Sequence, residues 1–137
     1  MSYAKKYSEM VKVDDLLREM DGSNVLTIIL GPEADFYLEV IRIHFRRTLD
    51  KDPSRKTITL QAYGDAVQNL VFVACLVDLK GFGKVKKISN DSVPTRGVDH
   101  QTGYESTCFT VRLLVNIEVS ENFRKICDHD ESKSRKD

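Results

Sequence analysis

With 137 residues and 21 Lys plus Arg against 21 Asp plus Glu, the chain is long enough for one domain with a real core, and too evenly charged for a histone-like DNA coater. No apolar run reaches membrane-spanning length, and the opening M-S-Y-A-K-K-Y lacks the apolar core of a signal peptide. The cysteines, Cys75, Cys108 and Cys127, are odd in number and far apart, which points to reduced thiols, two of them buried or half-buried, in a cytoplasmic or nuclear protein.

A polar lead runs into Met10–Met20, where Val13, Leu16, Leu17 and Met20 recur at helical spacing, and Asp21-Gly22 is expected to end that short helix. Asn24–Leu30 (N-V-L-T-I-I-L) reads as a strand, apolar enough for a central place in its sheet. Gly31-Pro32-Glu33-Ala34-Asp35 then turns into a helix. Proline suits the first helical turn, and Glu33 and Asp35 complement the helix dipole. This helix is expected to reach about Leu49, with Tyr37, Val40, Ile41, His44 and Phe45 on one side and Glu39, Arg42, Arg46 and Arg47 largely outside. Asp50–Arg55 is a polar loop broken by Pro53.

The stretch Thr57–Ile88 organises the rest. Ile58, Leu60 and Ala62 alternate with Thr57, Thr59 and Gln61, the pattern of a half-buried strand. Gly64 breaks it, and Asp65 is placed to N-cap the next helix. From Ala66 the period becomes helical: Ala66, Leu70, Val73, Ala74 and Val77 share one face, while Val67, Val71 and Leu76 add apolar surface beside it. The stripe is wider than one sheet-facing seam needs, so part of this helix, near Val71, Phe72 and Cys75, is expected at a subunit interface. Gly81-Phe82-Gly83 ends the helix and Lys84–Ile88 opens a third strand.

Ser89–Tyr104, rich in Asp, Ser, Gly, Pro and Thr, reads as a long, mobile hairpin loop with Arg96 as its one full positive charge. In Ser106–Val119, Phe109, Val111, Leu113, Val115, Ile117 and Val119 alternate with Cys108, Thr110, Arg112, Leu114, Asn116 and Glu118, so this is one long strand with a buried face. A short helix is expected from Ser120, with Phe123 and Ile126 reaching the core, before the solvated tail 128–137. The order (α)βαβαββ(α) implies an α/β (α+β) fold: a two-layer sandwich with a mixed four-stranded sheet and short terminal helices. Its divisions are an N-terminal extension (1–23), one domain (24–127) and the charged tail (128–137).

Catalytic chemistry has little to stand on. His44, His100 and His129 are isolated from cysteines and carboxylates at metal-ligand spacing, and neither a nucleophile elbow nor a P-loop is present. G-F-G-K at Gly81–Lys84 follows a helix instead of opening one, so it is a helix stop. No catalytic residue, metal or cofactor is expected. The cations Lys84, Lys86, Lys87, Arg96 and Arg112 are either the positive half of a mixed surface or a phosphate-contacting face.

I-T-L-Q-A-Y-G-D-A-V-Q-N-L-V-F-V-A-C-L-V, followed by G-F-G-K-V-K-K-I, resembles the core of the Alba superfamily, its eukaryotic cytoplasmic or nuclear members in particular. The first strand with its Gly-Pro turn, the helix bearing Phe36-Tyr37, the hairpin with Arg96-Gly97 and the alternating last strand extend the likeness from Asn24 to Phe123. The resemblance implies a βαβαββ sandwich that binds RNA or DNA without catalysis, as a homodimer or as a heterodimer with another Alba-like chain. It also implies contact at three places. The loop after the first strand is Gly31–Asp35 here, with Glu33 and Asp35 where the family carries lysine. The turn before the second core helix has Tyr63, followed by Gly64, where an arginine often stands. The hairpin keeps Arg96. Tyr63 suits stacking on an unpaired base, which favours single-stranded RNA. The binding residues expected are Tyr63 and Arg96 from this likeness and Lys84 and Lys86 from the basic third strand, with Gly31 and Gly64 shaping the turns. The alternative is a protein-interaction subunit of a ribonucleoprotein of the ribonuclease P/MRP kind, with weak nucleic-acid binding of its own.

Overall fold

Why the chain turns where it does is visible at the first helix. α1 spans Val13–Ser23 and buries Leu16, Leu17 and Met20. It runs through Gly22 and stops at Asn24, which takes the left-handed conformation (φ 56°) and donates its N–H to Met20 O at 2.8 Å. Asparagine tolerates that conformation, and its side-chain oxygen lies 3.1 Å from His44 Nε2. The stop is therefore set by a tertiary contact, two residues later than Gly22 suggests. The computed structural model describes residues 12–52, 54 and 56–128. The polar lead, Pro53, Arg55 and the tail beyond Asp128 lie outside the described residues.

β1 (Val25–Thr27), α2 (Ala34–Lys51), β2 (Thr57–Tyr63), α3 (Val67–Leu79), β3 (Gly83–Val98) and β4 (Glu105–Val119) follow in order, with helical turns again at 123–128. The sheet order is β1-β2-β4-β3. β1 is parallel to β2, and β4 is antiparallel to both β2 and β3. This is the mixed four-stranded α+β sheet that the pattern implied. β1, however, is an edge strand, not a central one. Only Leu26 and Ile28 of its apolar run are buried, while Ile29 and Leu30 are exposed beyond the strand.

The core lies between one sheet face and the helices. Ile58, Leu60 and Ala62 of β2 and Val115, Ile117 and Val119 of β4 meet Tyr37, Val40, Ile41, His44 and Phe45 of α2 and Leu70, Val73, Ala74 and Val77 of α3. Phe123 closes it from the C-terminal side, edge-on to Phe45 and Phe82 at 5.6 and 5.7 Å between ring centroids. Such a side chain stabilises the fold by about 1.5–3 kcal/mol through burial. α3 ends in a double-bonded left-handed turn: Phe82 N–H reaches Val77 O, Gly81 N–H reaches Asp78 O, and Gly81 has φ 76°. At its other end Asp65 does not N-cap the helix. It lies inside a 3-10 turn (Gly64–Ala66), and no side chain caps either helical segment there.

The expected loop Ser89–Tyr104 is instead mostly strand. β3 continues to Val98 and pairs with β4 out to Val98↔Glu105, so the hairpin is a long two-stranded arm. Its turn is pinned by Asp99, whose Oδ1 accepts from Gln101 N–H at 2.8 Å and Thr102 N–H at 3.3 Å. The composition hides the strand because both faces of the arm are solvated, so no burial pattern is imposed on it. Pro94 is tolerated because β3 is a sheet edge. For the same reason Phe109 (71% exposed) and Val111 (53%) are not core residues. The arm has run past the helix layer.

Candidate nucleic-acid interface

Parallel pairing decides which loops meet. β1 and β2 run the same way, and β3, antiparallel to β4, runs parallel to β2. The loop after β1, the turn after β2 and the arm therefore leave the same end of the sheet, the carboxyl end of the parallel strands, where open α/β sheets place their ligands.

The loop after β1 is braced from α2. Tyr37 is buried, its hydroxyl accepts from Ile29 N–H at 2.9 Å and donates to Ile29 O at 3.3 Å, and burial pushes its pKa up. Gly31 takes φ 113°. Pro32 precedes the helix instead of opening it, since Glu33 is the N-cap residue, with no side-chain cap bond. Between this loop and α3 lies a groove of about 570 Å³, lined by Glu33 and Asp35 on one side and by Asn69, Phe72 and Leu76 on the other. Its rim is acidic and its floor partly aromatic.

In the turn, Gly64 has φ +55°, and a Cβ there would sit 3.5 Å from Thr110 Cγ2 at the root of the arm. Glycine thus gives the chain its left-handed corner against β4. Tyr63, just before it, is 40% exposed. It pairs in register with Arg112 of β4, which in turn pairs with Asp91 of β3. The three form a row across the sheet on the face away from the helices. Arg112 Nε donates to Asp91 Oδ1 at 2.9 Å and Nη2 donates to Asp91 Oδ2. The guanidinium holds Asp91 below the usual carboxylate range. Asp91 first and the Tyr63 phenol second raise the pKa of Arg112.

The other cations expected in a site are spread out. Arg96 pairs with Thr107, five residues along the arm from Asp91 and so about 17 Å away, and on the opposite face. Lys84 pairs with Glu118, about 20 Å from the Tyr63 row along β4. Lys86 occupies a β-bulge between Val85 and Lys87, and its Nζ is 3.5 Å from Glu118 Oε2. Gly31, Tyr63, Gly64 and the arm are brought together; Lys84 and Lys86 stand at the far end of the sheet. Sequence alone leaves Arg112 among the surface cations, because its partners depend on strand register.

On α3 the surface beside the core stripe is exposed: Val71 47%, Phe72 59% and Leu79 81%, with Cys75 also exposed. Cys108 is exposed as well and only Cys127 is buried, so one thiol, not two, is shielded. Cys75 and Cys108 lie on the outer face of α3 and on the solvated arm. His44 is buried, 3.1 Å from Asn24 and 3.4 Å from Thr48 Oγ1, and His100 sits exposed in the arm's turn. Among the described residues no group of His, Cys, Asp and Glu is placed to hold a metal. Among the same residues no helix is long and apolar enough to cross a membrane.

A βαβαββ chain with a mixed sheet, two core helices on one face and a projecting β-arm defines a small α+β sandwich class. Among solved structures the chain is similar to ALBA1 from Trypanosoma brucei, with 16% sequence identity, 82% of each chain covered and a TM-score of 0.54. The fold is Alba-like. No protein-family model matches the chain, and no curated protein sequence does.

Proposed function

We propose that this chain binds nucleic acid without catalysis, favours single-stranded RNA over DNA, and acts as a dimer, with itself or with another Alba-like chain, in the cytoplasm or nucleus. The observation that carries the reading is the convergence of the Gly31–Asp35 loop, the Tyr63-Gly64 turn and the arm at one end of an Alba-like sheet. An exposed tyrosine there offers a stacking face to an unpaired base, which a base locked in a duplex cannot use. Glu33 and Asp35 repel phosphate at the start of α2, where the helix dipole would otherwise attract it. Nucleic acid therefore approaches through the turn and the arm, with Tyr63 as its contact on the open face and Arg96, on the arm's other face, met where the strand crosses the arm's edge. A strand continuing along the open face meets Lys87 and Lys84.

The exposed apolar surface of α3 supports the dimer. The same surface, with the acidic groove beside it, favours a second reading: a protein-interaction subunit of a ribonucleoprotein whose partner supplies the basic surface. Titration of labelled single-stranded RNA and duplex DNA with the purified protein, at two salt concentrations, separates them. Salt-sensitive binding, tighter for the RNA, supports the first reading; no binding to either at low salt leaves the second.

A further inference from the structure

We infer that Arg112 is the phosphate contact beside Tyr63, and that Asp91 occupies the phosphate's place on its guanidinium until RNA displaces it. The inference rests on the nucleic-acid-binding reading and adds to it a residue and an internal competitor. Three strands align the parts: Tyr63 on β2, Arg112 on β4 and Asp91 on β3 stand in one register row. Neighbouring strands are about 4.8 Å apart, so the tyrosine ring and the guanidinium lie side by side, close enough to serve one nucleotide. The ring is exposed, and its phenol adds to the upward shift of the Arg112 pKa.

Asp91 takes the guanidinium through both oxygens, the forked geometry in which arginine also takes a phosphate. The pair is solvent-exposed, and exposed ion pairs exchange partners readily because water and salt screen them. A phosphodiester presents two non-bridging oxygens and one negative charge to the same fork, as the carboxylate does, and its neutralisation also releases counterions from the RNA, so it competes with the carboxylate. The guanidinium holds Asp91 below the usual carboxylate range, so the competitor stays charged well into the acid. Glu118, a carboxylate on the same face of β4, is six residues from Arg112 and faces Lys86, so it does not share the row. A nucleotide stacked on Tyr63 would thus draw Arg112 to its phosphate and release Asp91 to water.

The competing account is a cross-strand pair that only fastens the arm. The two predict opposite signs for one substitution. Anisotropy titrations with a labelled single-stranded RNA of mixed sequence are made on the wild type, Arg112→Gln, Asp91→Asn and the double variant, with melting midpoints recorded for each. The ladder continues on both sides of the pair, so all four chains should fold. Expected are about tenfold weaker binding in Arg112→Gln with a salt slope shallower by about one, and about twofold to fivefold tighter binding at low salt in Asp91→Asn. The double variant should match Arg112→Gln, since without the guanidinium there is nothing to release. Wild-type binding that survives Arg112→Gln unchanged, or that weakens in Asp91→Asn, overturns this inference and leaves the nucleic-acid reading standing. Absence of binding in both wild type and Asp91→Asn removes both.

Discussion

Replacing Phe72 by Glu should convert the assembled protein to monomer while leaving the protomer folded. Phe72 is 59% exposed in the isolated chain. A phenylalanine has roughly 150–250 Å² to bury, so the exposed part amounts to ~90–150 Å². Covering it at a seam stabilises assembly by ~2–4 kcal/mol per copy at about 25 cal/mol per Å², and a symmetric dimer has two copies. Glutamate removes that term and adds a charge in a dry interface core. The dimer dissociation constant should therefore rise by at least about a thousandfold. Within the protomer the side chain already faces water, so the melting midpoint of the monomeric variant should reflect only the loss of a partner. Sedimentation equilibrium over a range of concentrations, on both proteins, measures this. A wild type that stays monomeric at high concentration refutes the homodimer. A Phe72→Glu protein that still dimerises refutes the placement of the seam on α3.

Arg96→Ala should weaken RNA binding and make the salt slope shallower by about one, as expected when one phosphate contact is lost; an unchanged affinity and slope would remove Arg96 from the site. Glu33→Lys should strengthen binding at low salt, with the gain fading as salt rises; no gain at any ionic strength would mean that nucleic acid does not pass the loop after β1. Tyr37→Phe strips both hydrogen bonds to Ile29 and should cost about 1–2 kcal/mol in denaturant unfolding, with an unchanged midpoint counting against the brace. Because burial raises the Tyr37 pKa, stability from this group is fully present below the ordinary tyrosine range and is lost as pH rises from there through the raised folded-state value, so the Tyr37→Phe protein should lose less stability under alkali.

Periodicity made most of this fold legible, because the core is where period and burial coincide. Ile58, Leu60 and Ala62, and likewise Leu70, Val73, Ala74 and Val77, are buried as their spacing implies. Where nothing covers a strand, the pattern misleads in both directions. The polar β3 segment Ser89–Val98 is strand without an apolar face, and Phe109 and Val111 continue an apolar face that meets no helix. Local turn chemistry misleads where a tertiary contact outweighs it: Gly22 is the obvious stop for α1, yet Asn24, in contact with His44, ends it. The candidate site is legible only in its separate parts. Tyr63 and Gly64 stand out in the sequence, whereas the Tyr63–Arg112–Asp91 row depends on residues 28 and 49 positions from Tyr63 along the chain meeting in register. No spacing rule reports such a meeting.

Where nucleic acid touches the protein is the central claim, and mapping of backbone amide shifts during titration with a single-stranded RNA reads that directly. The shifts should gather at one end of the sheet, in the Tyr63-Gly64 turn, around Asp91 and Arg112, and along the arm to Arg96, with smaller changes towards Lys87 and Lys84. Shifts confined to the helix layer or to 123–128, or none at saturating RNA and low salt, would contradict it.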